Sequence, residues 1–141
     1  MMQLKFCTIC GLLGGVLSWC FGSWDAALQA LIICMGIDYL SGVLVAGVFR
    51  HSLKSENGGL CSRIGFQGLV RKGMILLIVL IAHRLDLIVG GGWIRDGVCA
   101  AFLANELVSI LENAGMMGIP FPKALRNAID ILKSKGDEKH D

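Results

Sequence analysis

The chain has 141 residues, 55% of them hydrophobic and 17% charged, with a net charge of +2. That length suits one domain, and a soluble domain of this size needs more polar surface than these residues supply, since about a quarter of an ordinary soluble sequence is charged. The mean hydropathy of +0.67 points to lipid as the solvent. The small net charge, without arginine-rich stretches interleaved with aromatics, argues against a nucleic-acid partner.

A hydrocarbon core about 30 Å thick takes roughly 20 helical residues to cross. The first apolar segment, 6–22, is short and rich in glycine. Trp19, Phe21 and Trp24 stand where a small-x-small cleavage site belongs, so the segment reads as a retained membrane helix and not as a signal peptide. A tight turn, Gly22 to Asp25, leads to a second helix over 26–49 with one acid, Asp38, near its middle. A polar connector from Arg50 to Gln67, with a turn signal at Asn57-Gly58-Gly59, precedes a third helix over 68–89. Gly90-Gly91-Gly92 makes a hairpin into a fourth, 93–113, which carries Asn105 and Glu106.

Pro120 and Pro122 end that run. Beyond them 123–135 reads as a short amphipathic helix, with Leu125, Ala128, Ile129 and Leu132 on one face and a basic opposite face. This helix suits an anionic inner leaflet, or equally a solvated tail. The expected fold is therefore all-α: a polytopic transmembrane bundle of four membrane helices, or three if the first segment lies in the interface. The membrane domain spans 1–119, and 120–141 forms a cytoplasmic helix with a disordered tail.

With the connector inside, both termini are cytoplasmic. Only Arg84 and Arg95 of the 13 lysines and arginines then fall outside, as the positive-inside rule requires. Trp19, Trp24 and Trp93 all mark the outer interface, an independent agreement. Six cysteines are scattered through apolar runs. Cys7-x-x-Cys10 has no second pair to complete a metal site, so they read as packing residues. No metal or cofactor is expected, and no catalytic motif of a zinc protease, phosphate-binding loop or serine hydrolase is present.

Asp38 lies on a row at i+4 spacing, Ala26, Ala30, Cys34, Asp38, Gly42 and Ala46, and small residues in such rows let membrane helices approach closely. Two readings stand: a protonated hydrogen-bonding contact within a helix interface, or a group lining a wet lumen. The fourth helix has a matching row, Gly97, Ala101, Asn105, Ser109 and Asn113, with Glu106 beside it. Oligomerisation or lesion lining is therefore expected of Asp38, Gly42, Ala46, Asn105, Glu106 and Ser109. At the outer end, Arg84, Asp86, Arg95 and Asp96 form a charge cluster. Arg84 is expected to pair with Asp96 and Asp86 with Arg95, unless all four snorkel to the headgroups. His83 reads as a polar neighbour of the cluster.

Asp38-Tyr39-Leu40-Ser41-Gly42 resembles the D-Y-[LIV]-[TS]-G signature of the toxin-secretion and phage-lysis holin family. Arg71-Lys72 opening an apolar helix, the segment Asn105 to Asn113, and Gly118-Ile119-Pro120-Phe121-Pro122 resemble the same family in the same order, so the likeness covers about 36–133. The connector is less lysine-rich than the family pattern, and the first segment carries no recognisable motif. The resemblance implies a non-enzymatic protein of the host cytoplasmic membrane that assembles with copies of itself in the bilayer and forms lesions. Those lesions release an endolysin for host cell lysis or, in some bacteria, a toxin. An antiholin is a possible partner, and an antiholin or a small-solute or ion channel is the alternative reading.

Overall fold

The structure is a computed structural model and describes residues 1–50, 58–59 and 61–138. Five helices account for nearly all of them, with no strand among the described residues: α1 (Met2–Phe21), α2 (Ala26–Leu44), α3 (Ser62–Val89), α4 (Trp93–Met116) and α5 (Lys123–Glu138). The Asp25 carboxylate caps α2 by accepting the Leu28 N–H at 3.1 Å, which satisfies one of the helix's orphan donors. The helix continues through Val45–Phe49 as a widened π-helical turn, stopped where Arg50 takes φ 53°.

Helix α3 begins six residues earlier than the sequence pattern indicates, because no proline or capping residue separates Ser62 from Gly68. Of the expected connector turn, Gly58 is seen with φ 71°, while Asn57 and Lys54 lie outside the described residues. So do residues 139–141 of the expected disordered tail.

Two helices, α1 and α2 with its π-helical end, are long and apolar enough on their own to cross a membrane. The expectation of four spans is thus met only in part by composition. Helices α3 and α4 have the length, at 28 and 24 residues, but each carries several charged or amide side chains. Where those point decides what the helices are.

Lys72, Asp86, Arg95, Glu106 and Asn113 point inward, most of them on a seven-residue spacing, while Arg63, Arg71, Asp96, Asn105 and Glu112 are exposed. Leu31, Asp38 and Val45 on α2 face Lys72, Val79 and Asp86 on α3 and Cys99, Glu106 and Asn113 on α4. A spacing of seven keeps side chains on one stripe of a helix, since two turns take about 7.2 residues. The result is a layered seam. Leu28, Leu31, Met35, Val79 and Cys99 form its apolar centre, and all but Met35 are 0% exposed. Polar layers close it at either end.

The i+4 rows read from the sequence are only partly at this seam. Cys34 and Ala30 are half-buried and Ala26 is exposed, whereas Gly42 and Ala46 do pack inward. An i+4 row turns about 40° per step, so it leaves the contact face within a few turns.

Helix α3 presents Phe66, Leu69, Val70, Met74, Leu77 and Ile81 outward, and no residue of α1 is buried. The α1–α2 turn needs glycine at Gly22: its φ is 78°, and a Cβ there would approach His83 to 2.7 Å. After Gly118, at φ 82°, the chain turns back and α5 packs on α4, with Ile129 only 4% exposed. Of the expected apolar stripe, Ile129 is buried, Leu125 and Leu132 are half-buried and Ala128 is exposed, because the turn delivers the helix to α4.

Leu31→Ala should lower the stability of the detergent-solubilised chain by about 2–5 kcal/mol. Leu77→Ala, at a position 54% exposed, should change it little. Thermal unfolding of the two variants side by side checks this.

Candidate functional site

At one end of the seam Lys72 reaches between two acids. Its Nζ lies 2.7 Å from Asp38 Oδ2 and 2.5 Å from Glu106 Oε2, so one lysine on α3 ties α2 to α4. All three side chains are shielded, at 14%, 13% and 8% exposure for Lys72, Asp38 and Glu106. One turn further along, Asn113 Nδ2 donates to Ser41 Oγ at 2.8 Å, to Asp38 Oδ1 at 3.3 Å and to the Asp38 carbonyl at 3.4 Å. Gly42 leaves room for that amide, its position for a Cβ lying 3.8 Å from Asn113 Nδ2.

Below this layer a cavity of about 560 Å³ opens between the ends of α2, α3 and α4, lined by Tyr39, Gly65, Arg71, Ser109 and Glu112 together with Asp38 and Lys72. The hub therefore borders a vestibule whose lining mixes these polar groups with apolar side chains such as Val43, Ile64 and Met116.

The other end of the seam holds a second polar layer. Arg95, 6% exposed at its side chain, donates from Nη1 to Asp25 Oδ2 at 2.7 Å, and from Nη2 to Asp25 Oδ1 at 3.2 Å and the Ser23 carbonyl at 2.8 Å. Asp96 is a distant second partner at 3.5 Å. Nε of Arg95 is buried without a hydrogen bond. Asp86, 4% exposed, accepts the backbone N–H groups of Ile94 at 3.0 Å and Arg95 at 2.8 Å. It thereby caps α4 from the preceding helix, a place where Gly92 has no side chain to offer.

Neither ion pair expected across the triple-glycine turn forms. Arg84 instead donates to the Trp19 carbonyl at 2.6 Å and stacks 3.6 Å from the centroid of the Trp19 ring, which ties α1 to α3 and satisfies a carbonyl at the end of α1. Asp86 meets Arg95 through its main chain, because a helix N-terminus offers several unpaired donors close by. Arg95 takes Asp25, the α2 cap, as its bidentate partner. Its guanidinium holds the Asp25 carboxyl below the ordinary carboxylate range, against the opposing effect of partial burial, with help from the Leu28 N–H.

Of the residues singled out for assembly or lesion lining, Asp38, Gly42 and Glu106 gather at the hub and Ser109 lines the vestibule below it. Ala46 is buried one turn past Gly42. Asn105 is exposed and belongs to none of this. Sequence reasoning missed Lys72, Asp25 and Ser41. Lys72 had a signal: it precedes the middle of the Gly90–Gly92 turn by 19 residues and Glu106 follows it by 15, so an antiparallel hairpin sets the two nearly level.

Comparison with known proteins bears on what this arrangement is for. The model of the bacteriophage holin family matches residues 15–134. An uncharacterized protein of Listeria innocua is 41% identical over 132 residues, 91% of this chain and 89% of its own length. An uncharacterized protein of Clostridium perfringens is 38% identical over 129 residues, 90% of each. A probable holin of Bacillus phage phi105 is 28% identical over 113 residues, 79% of this chain and 78% of its own. No solved structure matches significantly.

Lys72→Met leaves two acids facing each other in the seam and should cost about 3–5 kcal/mol, as removal of one partner of a buried pair does. Replacing all three groups together (Asp38→Asn, Lys72→Met, Glu106→Gln) should cost less than that single change. Both are read from thermal unfolding in detergent. At the other end, Asp25 has its folded pKa depressed, so its contribution is present above its unfolded value of about 3.9 and is lost as pH falls through the lower, folded one. Asp25→Asn should flatten the acid limb of the unfolding profile in that range.

Proposed function

The chain belongs to the bacteriophage holin family, and from that premise we propose that it accumulates in a bacterial cytoplasmic membrane, oligomerises, and opens lesions that release an endolysin or a toxin. Family membership and the two strongly apolar helices support a non-enzymatic membrane protein. The proposed topology has four spans, with both termini and the polar connector in the cytoplasm. It accounts for α3 and α4 as spans whose charges turn inward on a shared seam, the usual condition for tolerating such groups in a membrane.

The single observation that carries the mechanism is Lys72 held between Asp38 and Glu106. Thirteen helical residues separate Asp38 from Asp25 and Glu106 from Trp93, so the hub lies about 20 Å from the outer end of both helices. In a hydrocarbon core about 30 Å thick that is two-thirds of the way across, with the vestibule giving it access from the cytoplasmic side. In the dispersed protein the charges satisfy one another and the seam is shut. Moving α2 away from α3 and α4 uncovers Asp38, Ser41, Lys72, Glu106 and Asn113 together, a continuous polar face suited to water. Four helices cannot enclose a hole wide enough for a folded enzyme, so a large lesion is built from many copies that present this face to a common lumen.

The test is culture turbidity after this chain is induced together with a cytosolic endolysin that has no export signal. The expected result is an abrupt fall after a delay, absent with either protein alone. Continued growth with the chain confirmed in the membrane would contradict the proposal and favour an antiholin or a small-solute channel. In the same assay Asp38→Asn should shift the moment of lysis far more than the outward-facing change Leu77→Ile; equal timing would remove Asp38 from the opening step.

A further inference from the structure

Among the polar groups of α4 outside the seam, Asp96 and Glu112 lie toward its two ends, while Asn105 lies near its middle. Asn105 follows Ala104 and precedes Glu106, both buried, yet its own side chain is exposed. Its amide has no hydrogen-bond partner among the described residues. Twelve residues from Trp93, it lies about 18 Å along the helix, which in the four-span topology proposed above places it deep in the hydrocarbon. Neither acyl chains nor water offer a partner at that depth, and an amide left unpaired there is costly.

The face around Asn105 also differs from one built for lipid. Helix α3 exposes a run of large side chains from Phe66 to Ile81, whereas α4 exposes no large apolar side chain except Trp93 at its outer end. One turn above Asn105 is Ala101, small and half-covered, and below it is Val108, also half-covered. A small residue beside a polar one is what lets two membrane helices come close enough to hydrogen-bond.

We propose that this face of α4 is the contact with a second copy of the chain, the Asn105 amide of one copy pairing with that of the other. A carboxamide carries both donors and an acceptor, so it is its own complement across a two-fold axis. The contact uses a side of α4 flanking the hub and not the hub residues themselves, so copies join while each seam stays closed. The inference rests on the four-span reading, and it supplies the first step of assembly that the proposed function requires.

The test uses full-length chains labelled with donor and acceptor fluorophores in vesicles of phosphatidylethanolamine and phosphatidylglycerol, with energy transfer followed as lipid is added. Asn105→Leu should weaken self-association about tenfold, the order supplied by one hydrogen bond between membrane helices, while Asn105→Gln retains it and Leu77→Ala leaves it unchanged. In a background without the native cysteines, Asn105→Cys should give a disulfide-linked dimer under mild oxidation. Undiminished association of Asn105→Leu would overturn the proposal, as would failure of the inserted Asn105→Cys chain to cross-link. A chain that associates through Asn105 but does not release endolysin keeps this interface and removes the holin reading. One that lyses cells while Asn105→Leu associates like the wild type does the reverse.

Discussion

Charge in a low-dielectric seam must be matched where it stands, and here three charged groups from three helices meet at one level. Lys72 has two acids within 2.7 Å of its nitrogen, and the amide of Asn113 supports one of them. Such a cluster is not a strong source of net stability, since well-packed apolar side chains in its place often do as well. Its effect is on register. A lysine that leaves its acids strands all three, so α2, α3 and α4 are held at one vertical alignment. The apolar layer above, around Leu31, Val79 and Cys99, is then brought into contact.

Under the proposed function, the same arrangement makes the closed state one of two satisfactory solutions. Groups that neutralise one another inside a seam are also satisfied by water, and the cavity of about 560 Å³ adjoins one side of the hub. What opposes opening is the apolar centre and the outer layer of Arg95, Asp25 and Asp86. The proposed function, in which the chain waits in the membrane and then rearranges, calls for this combination. The polar groups of the hub are hidden at little cost while the seam is shut, with the apolar layer around Leu31 and Cys99 beside them.

Much of this was legible in the sequence. The helix order, the hairpin at Gly90–Gly92 and the inward role of Asp38 and Glu106 follow from hydropathy and from the expense of an acid in lipid. The error lay in the period. Rows at i+4 put Asn105 in the interface with Ala101 and Ser109, whereas the contact runs at sevens through Cys99, Glu106 and Asn113 and leaves Asn105 outside. Over two turns the rows differ by one residue, enough to exchange neighbours between the inner and outer faces. In the sequence Lys72 stands beside Arg71 as one of two charges opening an apolar helix. Only the level set by the hairpin separates them. The outer cluster was misread because charge pairing considers side chains, and Asp86 is used by the main chain of α4. The glycine at position 92 leaves those N–H groups without a local cap, a signal visible in retrospect.

The most direct test of the hub is to exchange its charges. Lys72→Glu alone, Asp38→Lys with Glu106→Lys, and all three together either break the pattern of one base between two acids or invert it to one acid between two bases. If the three groups act as one layer, each partial change strongly lowers the unfolding temperature in detergent, and the triple change recovers most of the loss. Losses that simply add in the triple variant would mean that Lys72 is not coupled to Asp38 and Glu106, and the closed seam would need another explanation.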